Sequence, residues 1–293
     1  MSSYLIAIGT YVGIYALLAL ALNIQWGFAG LVNLGHVGFF AVGAYSTALL
    51  TTHGWSFPAG LVAAVLLAAV LGAFVAMATL RLREDFLAIV TLGFSEVLRL
   101  FLINEDWLTK GTNGITGIPR PFREAFGSGY DLFYLGLVAF AVLIAYLLLE
   151  RVRRSPYGRV LRAIREDEDI AQVAGKNTFR FKVQAFTLGA AIAGLSGFLY
   201  AHYVSYISPD TFVPALTIYI WVALMAGGSG NNKGAILGAV VLLGFLEGAR
   251  FLKDLIFFLS DVRLAAAREI LVGLFLILLM IYKQEGILPE ERK

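Results

Sequence analysis

Residues 25–45, QWGFAGLVNLGHVGFFAVGAY, set Asn33 and His36 among five glycines in an otherwise apolar run, with Asn23 and Gln25 at or just before its start. Side chains of this kind donate and accept hydrogen bonds. At membrane depth they can satisfy a polar solute or a freed backbone group. They do not amount to an activated nucleophile, and the chain has no cysteine to provide one. The three histidines, His36, His53 and His202, are scattered without a ligand spacing such as H-E-x-x-H, so no metal is expected. A second polar pair, Glu96 and Arg99, lies three residues apart inside the apolar run 86–103. That spacing puts both on one helix face, as a structural ion pair reaching toward the surface or as part of a polar pathway. The candidate pathway residues are therefore Asn23, Gln25, Asn33, His36, Glu96 and Arg99, and none is assigned a catalytic role.

Composition identifies the solvent for the elements that must hold these groups. With 59% hydrophobic and 15% charged residues and a mean hydropathy of +0.79, the chain has too little polar surface for a water-soluble globule. The apolar stretches are long and continuous, which favours helices over the short alternating strands of a barrel. The fold class is thus an all-α polytopic membrane bundle, read as a single transmembrane domain over 1–293. About nine segments are expected, at 4–22, 31–50, 58–80, 86–103, 131–149, 183–204, a broken pair at 217–226 and 235–249, and 269–282. The first run ends in a motif resembling a signal-peptide cleavage site but has no basic region ahead of it, so it is expected to be retained.

Orientation follows the basic residues. Nine lysines and arginines against five acids fall in 150–182, which predicts a cytoplasmic loop. Counting outward places 81–85 and the C-terminus on the same side, with 104–130, 205–214 and the N-terminus outside. The loop 104–130 is rich in glycine, proline and threonine, which suits either a structured external cap or a mobile linker. The net charge of +3 is too small to suggest nucleic acid.

The glycine-rich stretch admits two physical readings: a discontinuous or re-entrant helix whose freed backbone faces the bundle interior, or an interfacial turn with Trp26 at the headgroup level. Pairs such as Gly9/Gly13, Gly234/Gly238 and Gly244/Gly248 fit close helix packing. Residues 225–234, MAGGSGNNKG, superficially look like a phosphate loop but lack the Gly-Lys-Ser/Thr order, so ATP binding by that route is not expected.

Within 155–182, a Ser-Pro-Tyr-Gly turn leads into an amphipathic pattern over 158–175 that ends at Gly175. Val160, Ala163, Ile164, Ala171 and Ala174 share one face, with Arg159, Arg162, Arg165, Glu166 and Asp169 opposite. Arg162/Glu166 and Arg165/Asp169 are spaced to pair on one helix. Acids mixed into the polar face and small alanines on the apolar one favour docking to a protein over lying on anionic lipid.

The stretches LNIQWGFAGLVNLGHVGFFAVGAY (22–45), LREDFLAIVTLGFSEVLRL (82–100), GTNGITGIP (111–119), SPYGRVLRAIREDEDIAQVAGKNT (155–178) and AGGSGNNKGAILGA (226–239) resemble, in that order, the M-type permease subunits of bacterial branched-chain amino acid ABC importers. The resemblance implies a non-catalytic inner-membrane subunit for branched-chain or related small amino acids. It would pair with an H-type permease, two cytoplasmic ATPase subunits and a periplasmic binding protein. No cofactor would bind this chain, and ATP would be used by the partners. Asp169, Ala171 and Gly175 approximate the E-A-A-x3-G coupling pattern of such permeases, with Asp in place of Glu and no downstream I-x-L-P. The implied coupling residues are Arg162, Arg165, Glu166, Asp169, Ala171, Ala174 and Gly175. KQEGILP (283–289) is only loosely similar to the family's R-P-Q-G-L. The competing class is a stand-alone ion-coupled secondary transporter. It would need internal repeats and buried acids, for which Glu96 is the one well-placed candidate.

Overall fold

A computed structural model describes residues 2–80, 84–251 and 285–290, with isolated positions between 270 and 282. The helices run α1 Ser2–Leu22, α2 His36–Thr52, α3 Phe57–Thr79 and α4 Glu84–Asn104. Two single turns, α5 Asp106–Thr109 and α6 Arg123–Phe126, precede α7 Tyr130–Arg154. The pair α8 Pro156–Glu166 and α9 Glu168–Val173 is followed by α10 Thr178–Val204, α11 Pro214–Gly227 and α12 Asn232–Phe251. Helices dominate because a chain in lipid must satisfy its backbone groups internally. Among the described residues the one sheet is a two-residue antiparallel ladder, β1 Ile115–Thr116 against β2 Tyr206–Ile207.

Among the described residues, six stretches are long and apolar enough to cross a membrane: Ser3–Phe28, Phe57–Thr79, Phe86–Asn104, Arg123–Arg154, Thr178–Val204 and Pro209–Gly227. The 17-residue α2 is not one of them. The run expected at 269–282 lies, apart from isolated positions, outside the described residues.

The bundle is organised around α10, which packs along α3, α2 and α1, while α1 also meets α7 and α12. Small residues make this possible: a β-carbon on Gly194 would fall 2.6 Å from the Ala68 β-carbon, so α10 and α3 approach nearly backbone to backbone. The periphery is apolar, with Phe74, Val97 and Phe140 all more than 60% exposed. Such a surface is unfavourable in water and matches hydrocarbon.

Contacts distinguish the two ends of the bundle. At one end the ladder joins 104–130 to 205–214, supported by Arg120 Nε donating to Ser205 Oγ at 2.8 Å and by His202 Nδ1 donating to the Pro119 carbonyl at 2.7 Å. The segment 104–130 is thereby tied to α10 and the stretch that follows it. At the other end meet α8, the α11–α12 turn and the segment 285–290.

Candidate functional site

The chain after α1 widens into a π turn over Asn23–Phe28 and then loses helical geometry until α2 begins at His36. A π turn inside a helix leaves carbonyls and amides out of register, and the following segment 29–35 has no helix to pair them. Buried side chains do so instead. Gln25 Nε2 donates to the Phe186 carbonyl at 3.0 Å, and its Oε1 accepts from Asn33 Nδ2 at 2.9 Å. Asn33 Oδ1 accepts from the Gly35 amide at 3.0 Å. Thr91 and Thr217 hydroxyls accept from the Leu34 and Val37 amides, at 3.1 and 3.0 Å, and Trp221 Nε1 donates to the Asn33 carbonyl at 3.1 Å. Asn23 spans to the α11–α12 hairpin, donating to Asn232 Oδ1 at 3.1 Å and accepting from the Gly230 amide at 2.9 Å.

The partners Thr91, Thr217 and Phe186 belong to α4, α11 and α10, so the non-helical segment runs inside the bundle. An interfacial turn would be wet, whereas Asn23, Gln25 and Asn33 are completely buried. His36 donates from Nε2 to the Leu18 carbonyl at 3.1 Å, and its Nδ1 is buried without a hydrogen-bond partner. The glycines allow this closeness: a β-carbon at Gly35 would overlap the Thr91 carbonyl.

Glu96 and Arg99 stand apart from this cluster. They pair with each other on α4 through both Glu96 oxygens, at 2.5 to 3.1 Å, with side chains 38% and 21% exposed.

The loop expected as one helix over 158–175 is two. Asp167 adopts extended geometry (φ −157°, ψ 108°), and its Oδ1 accepts from the Ile170 amide, capping α9. An aspartate that can bind nearby backbone amides competes with helix continuation. The break separates Arg165 from Asp169, and both Arg162 and Arg165 turn instead to Glu290, at 3.9 and 2.7 Å. Arg165 also donates to the Gly27 carbonyl in the π turn. Lys182 of α10 binds Glu168, holding α9 to the bundle. The expected apolar face is likewise redistributed. Leu161, Ile164 and Ala171 are buried against the chain itself, and Ala163 and Ala174 are exposed. Ile170 and Val173, 68% and 90% exposed, are the large apolar side chains left on the outer surface of α9. Glu166, Asp169 and Gly175 are exposed beside them.

Compared with known proteins, residues 4–281 match the model of the permease component of branched-chain amino acid transport systems. The chain belongs to this family. Among relatives, the high-affinity branched-chain amino acid transport permease LivM of Escherichia coli is 35% identical over 97% of this chain and 70% of its own length. The probable LivM of Methanocaldococcus jannaschii is 29% identical over 95% and 91%. LivH of Escherichia coli is 26% identical over 78% and 79%. The permease is thus of the M type. No solved structure matches.

Sequence reasoning about this permease singled out the four polar residues of the break but not their partners Thr91, Thr217, Trp221 and Asn232. Threonines and a tryptophan in helix interiors carry no local signal, since their roles depend on what another helix presents. Glu290 was missed for the same reason.

Proposed function

We propose that this permease forms half of the translocation path of an ATP-driven importer for branched-chain or related small amino acids, multi-pass in a bacterial inner membrane. An H-type permease would supply the other half, two ATPase subunits would dock on α8–α9, and a periplasmic binding protein would deliver the solute to the end bearing the segment 104–130. In this reading α8–α9 and the C-terminus are cytoplasmic, and the chain makes about nine crossings. This chain binds no cofactor, and ATP is hydrolysed on the partners.

The observation that carries the reading is the contact of Arg165, on a helix pair that presents Ile170 and Val173 outward, with the π turn that opens the discontinuous segment. Displacement of α8–α9 by a nucleotide-driven partner is thereby felt where backbone and polar side chains are buried at membrane depth. A transporter works only if its states differ in affinity for the solute, and this contact supplies a route for one partner to bias that equilibrium. Asn23, Gln25, Asn33 and His36 are hydrogen-bonded within the chain in this conformation, and the open Nδ1 of His36 is the acceptor available to a solute ammonium or to a rearranged backbone. Glu96 and Arg99 would face the path or the second permease, because a half-exposed ion pair is costly against lipid.

The test is reconstitution. Co-purification with ATPase chains and ATP-dependent uptake of labelled leucine in proteoliposomes are expected, while ion-driven uptake by the purified chain alone would overturn the importer reading.

A further inference from the structure

Residues 285–290 are seated at the end of the bundle where α8 meets the helix break. The Ile287 and Leu288 amides donate to the Ala226 and Gly227 carbonyls, both at 2.9 Å. Asn231 Nδ2 donates to the Leu288 and Pro289 carbonyls at 3.3 and 3.1 Å. Gly286 and Gly228 both have positive φ, 78° and 118°, and a β-carbon at Gly228 would overlap the Leu288 carbonyl. Backbone pairing and shape therefore fix this segment before any charge is considered.

The result is a carboxylate aimed between two arginines. Glu290, 15% exposed, holds Arg165 Nη2 with Oε2 at 2.7 Å, while Oε1 lies 3.9 Å from Arg162 and makes no hydrogen bond. Arg165 uses its other terminal nitrogen on the Gly27 carbonyl. A guanidinium is a planar, rigid fork, so binding Glu290 on one prong orients the other. Released from Glu290, the side chain regains its rotamers and the contact with the π turn becomes one exposed-edge hydrogen bond among many alternatives. The α11–α12 turn closes the arrangement, since the Gly230 amide donates to Asn23 in the same π turn.

We infer that Glu290 is a positioning residue for coupling: it holds Arg165 against Gly27, so that α8 and the discontinuous segment move as one body. This rests on the importer reading above. It differs from a docking role, because Ile170 and Val173 lie on α9 and do not depend on Glu290.

The experiment uses the full permease with its partner chains in proteoliposomes, reading ATP hydrolysis and leucine uptake in the same vesicles. Wild-type uptake tests the importer reading. The ratio of uptake to hydrolysis in Glu290→Gln relative to wild type tests Glu290. The near-isosteric E290Q should lower that ratio roughly 5- to 10-fold, within the usual range of coupling between sites. Arg165→Ala should lower it similarly, and the double variant should be no worse than R165A alone, because both changes remove one connection. A wild-type ratio in E290Q, or multiplicative losses in the double variant, would overturn the inference. Loss of folded permease in E290Q, seen by gel filtration in detergent, would assign Glu290 to stability alone and overturn it equally.

Discussion

At Glu168, burial raises the carboxyl's pKa, but hydrogen bonds from Lys182, Thr178 and Gln172 outweigh it and hold the group below its ordinary value. A carboxyl with a depressed folded pKa contributes its stability in full above the unfolded pKa and loses it as pH falls through the folded one. Melting curves of purified permease should therefore show the wild type losing stability relative to Glu168→Gln as the pH is taken down through the carboxylate range. Parallel curves would remove the Lys182–Glu168 contact from the account. Glu96 and Arg99 make a second residue-scale prediction. Reversing either charge alone leaves like charges together on a membrane helix, and the double reversal should restore part of the loss, with an interaction of about 0.5–3 kcal/mol. Purely additive losses in folded yield would mean that each faces a different partner.

At the scale of elements, the division of 158–175 into α8 and α9 changes which side chains test docking. Ala171 is buried against its own chain, so Ala171→Trp should cost about 1–3 kcal/mol of the permease's own stability through overpacking. Ile170→Glu and Val173→Glu place charge on the exposed surface instead. They should release the ATPase from a permease that still inserts and melts normally, as read by co-purification. Full ATPase retention in both would reject α9 as the docking surface. The helix break makes its own demand: Gly35→Leu drives a side chain into the Thr91 carbonyl and should reduce uptake more than membrane insertion. Unchanged uptake would separate the discontinuous segment from transport.

Across the whole molecule, the fold is apolar outside and closely packed inside, so burial against protein, not apolarity, decides what a side chain contributes. Phe186 on α10 is fully buried against Phe39, while Phe74 on α3 is 65% exposed. Phe186→Ala should lower stability by about 3–5 kcal/mol and Phe74→Ala by far less, measured by thermal melting in one detergent; equal effects would contradict α10 as the centre of the bundle. Much of this was legible in the chain. Continuous apolar runs with few charges determined a helical membrane protein, because hydrocarbon admits few alternatives to a helix and dictates them locally. The glycines and amides of 23–38 announced a break for the same local reason. What the break is tied to was decided only in three dimensions. Its partners Thr91, Thr217 and Asn232 lie 57, 180 and 209 residues away along the chain, Glu290 lies 125 from Arg165, and a hydrogen bond forms with whatever group packing brings to about 3 Å, not with what sequence spacing suggests. Arg165 and Asp169 had the spacing to pair, but Asp167 was drawn to a backbone amide and Arg165 to a glutamate from the far end of the chain.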